Sequence, residues 1–262
     1  MTILDKIVQK KKQEVAEAKS KVSLTELQQY PLFGRACYSL KDSIFHPTRT
    51  GIIAEFKRAS PSKGLINGTS SVQDVVKGYQ NAGASAISVL TDPDFFKGSL
   101  ADLTAAREVL DIPLLRKEFI VDIYQIAEAK AYGADIILLI AACLPHQEVK
   151  EFSEYAKSLG LNVLLEVHNE EELQANIFDS IDAIGVNNRN LKDFSVSLEH
   201  SYDLVNKIPK RFIKVSESGI SNPETIKDLK ERGFNSFLIG ENFMKTDNPA
   251  QAIKEFVTEL KV

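Results

Sequence analysis

Charged and amide side chains interrupt the apolar segments of this chain at one recurring place, the C-terminal end of each segment. Glu55 and Lys57 close GIIAEFK, and Arg116, Lys117 and Glu118 close and follow PLLRK. Glu166 comes near the end of NVLLEV, and Asn187, Asn188 and Arg189 end and follow AIGVN. Glu217 and Ser218 end FIKVSE, while Glu241 and Asn242 follow SFLIG. Glu55 and Lys57 are two positions apart, which on a strand sends both side chains to the same side. Taken singly, any of these is also readable as an ordinary loop charge. A buried, unpaired carboxylate or ammonium is expensive, so the first five of these six segment ends all carrying a polar group do not arise cheaply by chance. Carboxylates and two lysines crowded around one cavity push each other's pKa values in opposite directions, which suits general acid–base chemistry.

Other chemistries are poorly supplied. The four histidines, His46, His146, His168 and His200, show no HxxH or HxxxH spacing, and there is no CxxC, so no metal is expected. His168 lies two residues after Glu166 and reads as a solvated loop histidine. Cys143 ends an apolar run and reads as a small core residue. No nucleophile elbow GxSxG and no Ser-His-Asp order is present.

The elements that must position these groups follow a rhythm. Eight short apolar, β-branched segments begin near residues 51, 86, 113, 135, 162, 183, 213 and 236. Between them, Val72–Asn81, Leu100–Leu110, Ile123–Tyr132, Gln147–Leu159 and Pro223–Arg232 have helical period. Gly83, Gly133, Gly160 and Gly233 stand where left-handed helix caps belong. Asn222-Pro223 and Asn248-Pro249 read as helix starts. Strands apolar on both faces, alternating with helices, predict a parallel sheet, and eight such units predict a (β/α)₈ TIM barrel. An open doubly wound sheet is the alternative, but it usually carries a Gly-rich phosphate turn after its first strand, and GIIAEFKRASPSKG has neither GxGxxG nor GxxxxGK[ST]. Residues 49–262 would form the eight units and residues 1–48 an N-terminal helical extension, all in one domain. That extension would cap the N-terminal end of the barrel or lean over its mouth.

In a barrel of this kind function sits at the C-terminal strand ends, where the polar residues fall. Its recurrent phosphate site uses the loops after strands 7 and 8, here carrying Ser218-Gly219 and Gly240-Glu241. Within the extension, Ile3, Ile7, Lys11 and Val15 share one face of an amphipathic helix, and the run Lys10-Lys11-Lys12 reads as its solvated side.

Composition removes several function classes. A net charge of −4 over 262 residues leaves no general basic footprint for nucleic acid. The longest apolar run, Ile136 to Leu144, is far shorter than the ~20 residues a bilayer span requires. The N-terminal stretch has neither a signal-peptide core nor the composition of a transit peptide. Two cysteines are too few for a disulfide framework, so a reducing cytoplasm is the expected compartment. The expected partner is a small phosphorylated substrate, with no nucleic acid and no membrane, and the expected assembly a monomer or weak homodimer.

The segment AEFKRASPSKG, Ala54 to Gly64, resembles the signature of the indole-3-glycerol phosphate synthase family. The resemblance continues through SVLTDPDFFKGS, LLRKEFIVD, LLEVH, GVNNRNL, SESGI and LIGENFM, in order along essentially the whole chain. It implies conversion of 1-(2-carboxyphenylamino)-1-deoxyribulose 5-phosphate to indole-3-glycerol phosphate in tryptophan biosynthesis, without metal or organic cofactor. It implies Lys117 as the general acid of ring closure and Glu166 as an acid or base of dehydration. Glu55 and Lys57 would orient or assist, and Asn187, Glu217 and Ser218 would hold sugar hydroxyls and tune the lysines. Ser60 belongs to the same motif, and Arg189 would meet an anionic group. Gly219, Gly240 and Glu241 would cradle the phosphate. Pro61, Phe96, Phe119, Leu138 and Leu191 would line the slot for the aromatic ring. Two features depart from the family pattern: Phe243 stands where a small residue is common and is expected to reshape the region beyond the phosphate, and the chain has no Trp.

Three rival readings follow from the same residues. One is an aldolase using Lys117 or Lys57 as a Schiff-base nucleophile. The second is the neighbouring barrel that isomerises phosphoribosylanthranilate, which lacks the EFKRASPSKG segment. The last is a catalytically dead barrel that binds phosphate ligands or a partner enzyme.

Overall fold

A computed structural model describes residues 2–190 and 193–261. Eight parallel strands close into a barrel: β1 Ile52–Phe56, β2 Ala86–Leu90, β3 Leu114–Lys117, β4 Ile136–Ile140, β5 Asn162–Val167, β6 Ala183–Asn187, β7 Ile213–Glu217 and β8 Ser236–Ile239. Closure pairs β1 with β8, Ala54 opposite Ile239. The eight expected segments are the eight strands. The five expected helices form within a residue or two of their predicted ends, as Val72–Asn81, Leu100–Val109, Ile123–Ala131, His146–Ser158 and Pro223–Glu231. The cap glycines Gly83, Gly133, Gly160 and Gly233 all have positive φ. Asn222 and Asn248 accept hydrogen bonds from the Thr225 and Gln251 amides, as helix starts should. Shorter helices at Glu170–Ala175 and Glu199–Leu204, and a hairpin pairing Ala59–Ser60 with Gly64–Leu65, lacked a legible period.

Strand alternation decides what enters the barrel. Ile53, Leu115, Leu164, Ala183, Val215 and Leu238 pack in the inner core, while Ile52, Leu114, Val163, Ile184 and Phe237 pack outward under the helices. Two positions beyond each inner residue stand Glu55, Lys117, Glu166, Gly185, Glu217 and Gly240. The same period that buries the apolar layer therefore turns the catalytic candidates into the mouth. Arg116, one position off, faces outward instead, donating to the Gln125 carbonyl (2.9 Å) and pairing with Glu128 (2.7 Å).

The extension does both things expected of it, with different helices. Helix α1, Ile3–Lys21, leans over the mouth and brings Ile3, Leu4 and Ile7 into the cavity wall. After the short α2, Leu24–Leu27, helix α3, Leu40–Ile44, caps the other end, where Leu40 and Ile44 join the inner core. Buried Asp135 fastens this connection, accepting from Arg35 and Arg107 (2.7 Å each) and from the amides of Tyr38 and Leu114 (2.9 Å each).

The lysine run on α1 does not behave as expected. Lys10 and Lys12 are exposed, but Lys11 is buried, because it lies on the apolar stripe with Ile7 and Val15 and meets carboxylates there. Among the described residues no helix is long and apolar enough to cross a membrane.

Candidate active site

The barrel mouth opens into a cavity of about 630 Å³. Every expected site residue among those described lines it: Glu55, Lys57, Ser60, Pro61, Phe96, Lys117, Phe119, Leu138, Glu166, Asn187, Arg189, Glu217, Ser218, Gly219, Gly240 and Glu241. Leu191 lies outside the described residues.

Lys117 is the centre of the charge cluster. Its Nζ donates to Glu217 Oε2 at 2.9 Å and to Glu166 Oε2 at 3.4 Å. Burial opposes its charge, but Glu217, Glu166 and Glu55 outweigh burial and hold the ammonium well above lysine's usual pKa. Burial likewise opposes the charge on Glu166, yet Lys117 and His168, with a hydrogen bond from Asn187 Nδ2 (3.0 Å), keep its carboxyl below the usual range. Across the mouth, Lys57 Nζ stands 3.0 Å from Glu55 Oε1, and Ser88 Oγ donates to Glu55 Oε2 at 3.4 Å.

Glu217 shifts the other way. Burial pushes its carboxyl up to about 7; Lys117 pulls it down, and Glu166 and Glu55 push it further up. Lys117 is shared between Glu217 and Glu166, and Glu166 has His168 and Asn187 besides, whereas Glu217 Oε1 is buried without a hydrogen-bond partner. A folded pKa above the ordinary 4.5 means that the folded state holds a proton the unfolded chain has released. This group's contribution to stability is therefore complete below pH 4.5 and is lost as pH rises through about 7. Glu217→Gln cannot undergo this change. Its melting temperature relative to wild type should rise between pH 5 and pH 8, as followed by thermal unfolding at both values; a constant difference would refute the assignment.

Two glycines create the space for these carboxylates. A methyl on Gly185 would run into Glu217 Oε1, and one on Gly240 would stand 2.6 Å from Glu55 Oε1. Gly185 was not among the expected site residues, although a glycine inside an apolar strand is a recognised mark of close approach. Gly240 was expected only in the phosphate cradle; it also abuts Glu55. Next to it, Glu241 places its carboxylate 3.7 Å from both Lys63 Nζ and Arg189 Nη2. Ser218 and Gly219 turn the chain after β7 with φ of 68° and 79°, and a side chain at Gly219 would strike Val196. Buried Asn188 holds that turn, donating to the Ser216 hydroxyl (3.0 Å) and the Ser218 carbonyl (3.1 Å).

His168 is not solvated. Its side chain is largely buried between Glu166 (Nε2 to Oε1, 3.4 Å) and Glu172 (Nδ1 to Oε2, 3.3 Å). Burial works against its positive charge, but both glutamates raise its pKa above the usual value. The i, i+4 spacing of His168 and Glu172 was the available sequence signal. Phe243 is fully buried against Tyr79 and Phe256, in the short helix Glu241–Met244. Cys143 packs against the core as expected. Among the described residues no group of three potential ligands gathers for a metal ion.

A cavity ringed by a lysine–glutamate cluster at the C-terminal ends of barrel strands limits the chemistry to a broad class. Residues 4–256 match the family model for indole-3-glycerol phosphate synthase. The chain belongs to the indole-3-glycerol phosphate synthase family. It is 46% identical over 259 residues to the indole-3-glycerol phosphate synthase of Bacteroides thetaiotaomicron, covering 99% of each chain. It is 43% identical over 263 residues to that of Campylobacter jejuni subsp. doylei, covering 96% of this chain and 98% of the relative. Among solved structures, a chain of the Pyrococcus furiosus tryptophan synthase complex superposes with a TM-score of 0.60 at 21% identity, over 82% of this chain and 98% of that one. The 3-hexulose-6-phosphate synthase of Salmonella typhimurium gives 0.62 at 12% identity, over 80% and 100%. These two likenesses show the barrel alone. As an indole-3-glycerol phosphate synthase, the protein is a carboxy-lyase of tryptophan biosynthesis that acts on a small phosphorylated substrate.

Proposed function

We propose that the cavity divides the reaction among three regions of the barrel mouth, with residues 1–262 acting as one barrel domain and residues 1–48 as its extension. The observation that carries this reading is Lys117, a largely buried ammonium held between Glu217 and Glu166 at the cavity wall.

The aromatic ring of the carboxyphenylamino group enters the apolar end, against Phe96, Phe119, Pro61 and Leu138. The two phenyl rings stand 6.0 Å apart, close enough to wall one side of a slot. The phosphate lies at the opposite end, met by backbone N–H groups of Gly219, Gly240 and Glu241. The Glu241 carboxylate would repel a phosphate, so its side chain serves instead to hold Lys63 and Arg189 nearby. Asn187, Ser218 and Ser60 hold the sugar hydroxyls.

With both ends held, the ring carbon bearing the carboxylate attacks the ribulose carbonyl carbon. A carbon–carbon bond forms, and the carbonyl π electrons move to oxygen, which takes a proton from Lys117. Carbon dioxide then leaves; its bonding electrons return to the ring and restore conjugation through the anilino nitrogen. Dehydration completes the indole. Glu166, kept ionised, removes the proton from carbon, and the hydroxyl departs as water with a proton from the Lys57 side of the Glu55–Lys57 pair. One proton is consumed overall, matching the loss of a carboxylate as neutral CO₂.

The reading is tested with the substrate itself. The chain has no Trp, so indole emission is readily followed. Wild-type protein should generate it, and borohydride added during turnover should leave the protein mass unchanged. A mass increase mapped to Lys117 or Lys57 would overturn the acid–base reading in favour of a Schiff base.

A further inference from the structure

Lys11 has no part in the steps above, yet it is among the most tightly held charges in the protein. It is 3% exposed, and its Nζ lies 2.7 Å from Glu14 Oε2, 2.9 Å from Asp92 Oδ2 and 3.1 Å from Glu118 Oε1. Asp92 and Glu118 belong to the barrel, just beyond the ends of β2 and β3, and both are buried. Each also orders backbone. Asp92 Oδ1 accepts from the amides of Phe95 (2.7 Å) and Phe96 (3.3 Å). Glu118 Oε1 accepts from the Phe119 amide (2.8 Å), and its Oε2 accepts from Thr91 Oγ1 (2.8 Å). The backbones that carry Phe96 and Phe119 thus hang on two carboxylates whose charge is met by one lysine of the extension. Glu118 has a second cation in Arg116, at 3.9 Å. The same helix supplies Ile3, Leu4 and Ile7 to the cavity wall.

We propose that Lys11 is a positioning residue: by tying α1 to Asp92 and Glu118 it sets the Phe96–Phe119 pair and completes the slot for the aromatic ring of the substrate. This rests on the reading of that end of the cavity as the ring slot. Two buried carboxylates deprived of their ammonium repel each other and draw in water or protons. The caps on Phe96 and Phe119 then loosen together, and α1 loses its anchor. Among the described residues no hydrogen bond or ion pair joins Gly219, Gly240 or Glu241 to this triad, so the effect is specific to the ring.

The test compares two ligands of one cavity. Binding of indole-3-glycerol phosphate is read from its own indole emission, and binding of inorganic phosphate from competition. Lys11→Met should weaken the indole ligand about tenfold and leave phosphate affinity unchanged within about twofold, with Lys11→Arg restoring most of the loss. Equal weakening of both ligands, or of neither, would overturn the proposal. Should Lys11→Met fail to fold, Lys11→Met with Asp92→Asn removes one positive and one negative charge together, leaves Glu118 with Arg116, still unties α1 from the barrel and carries the same comparison; wild-type affinity for the indole ligand there would equally overturn it. Phe96→Ala separates this proposal from the reading beneath it. If Phe96→Ala leaves indole binding intact, the slot is wrongly placed. If it weakens binding while Lys11→Met does not, the slot stands and the role of Lys11 falls.

Discussion

Replacing Lys117 with alanine should lower kcat for indole formation by about 10³-fold, towards the upper end of what a positioned proton donor contributes, with KM little changed. The expectation follows from what no neighbour can replace. Lys117 is the ammonium that both Glu217 and Glu166 contact, at 2.9 Å and 3.4 Å. Those carboxylates hold it so firmly protonated that it is a reluctant acid towards a ketone. Once the carbon–carbon bond begins to form, the oxygen approaches an alkoxide, a far stronger base than an amine, and transfer becomes downhill. The lysine therefore acts in the transition state more than in the ground state, which is why the loss falls on kcat. Lys117→Arg keeps the positive charge but does not release a proton in the accessible pH range, so it should retain binding without recovering turnover. Steady-state indole fluorescence decides this: a kcat within about tenfold of wild type in the alanine variant is too small a loss for the proposed acid.

Glu166→Gln should reduce kcat by about 10²–10³-fold, and at a later step. Glutamine keeps an oxygen to accept from Asn187, so the geometry around Asn187 is retained while the base is lost. Ring closure and CO₂ loss belong to Lys117 and continue. A cyclised, decarboxylated carbinol should then accumulate, and CO₂ release should run ahead of indole emission in a single turnover. Simultaneous appearance of the two signals would show that Glu166 is not reserved for dehydration.

Much of this site was readable because strand alternation is strict. Ile53, Leu115, Leu164 and Val215 are apolar and face inward, so Glu55, Lys117, Glu166 and Glu217, two positions on, had to face the mouth. Glu241 lines the cavity, but a sequence does not say that Lys63 and Arg189 will bracket its carboxylate. Lys11 was misread because the composition of a lysine run says nothing of which member lies on the buried stripe; its place between Ile7 and Val15 was the better guide, but its partners lie in distant loops. His168 was missed for the same reason, one of its two glutamate partners being visible only as an i, i+4 pair. The partners of Phe243 were likewise hidden, because Tyr79 and Phe256 come from helices far away in the chain.

The way the extension fastens to both ends of the barrel bears on how the chain is made. Leu40, on the plugging helix, donates its backbone amide to Asn162 Oδ1, 122 residues later, and Arg35 reaches Asp135, 100 residues later. The ribosome delivers Leu40 and Ile44 long before the strands that cover them exist, and β1 must wait for β8 before its second edge is paired. During synthesis the extension thus waits long for its partners, and apolar surface in that condition is what chaperones recognise and what seeds aggregation. The extension is translated before the barrel, but its native contacts are completed only after much of the barrel has emerged.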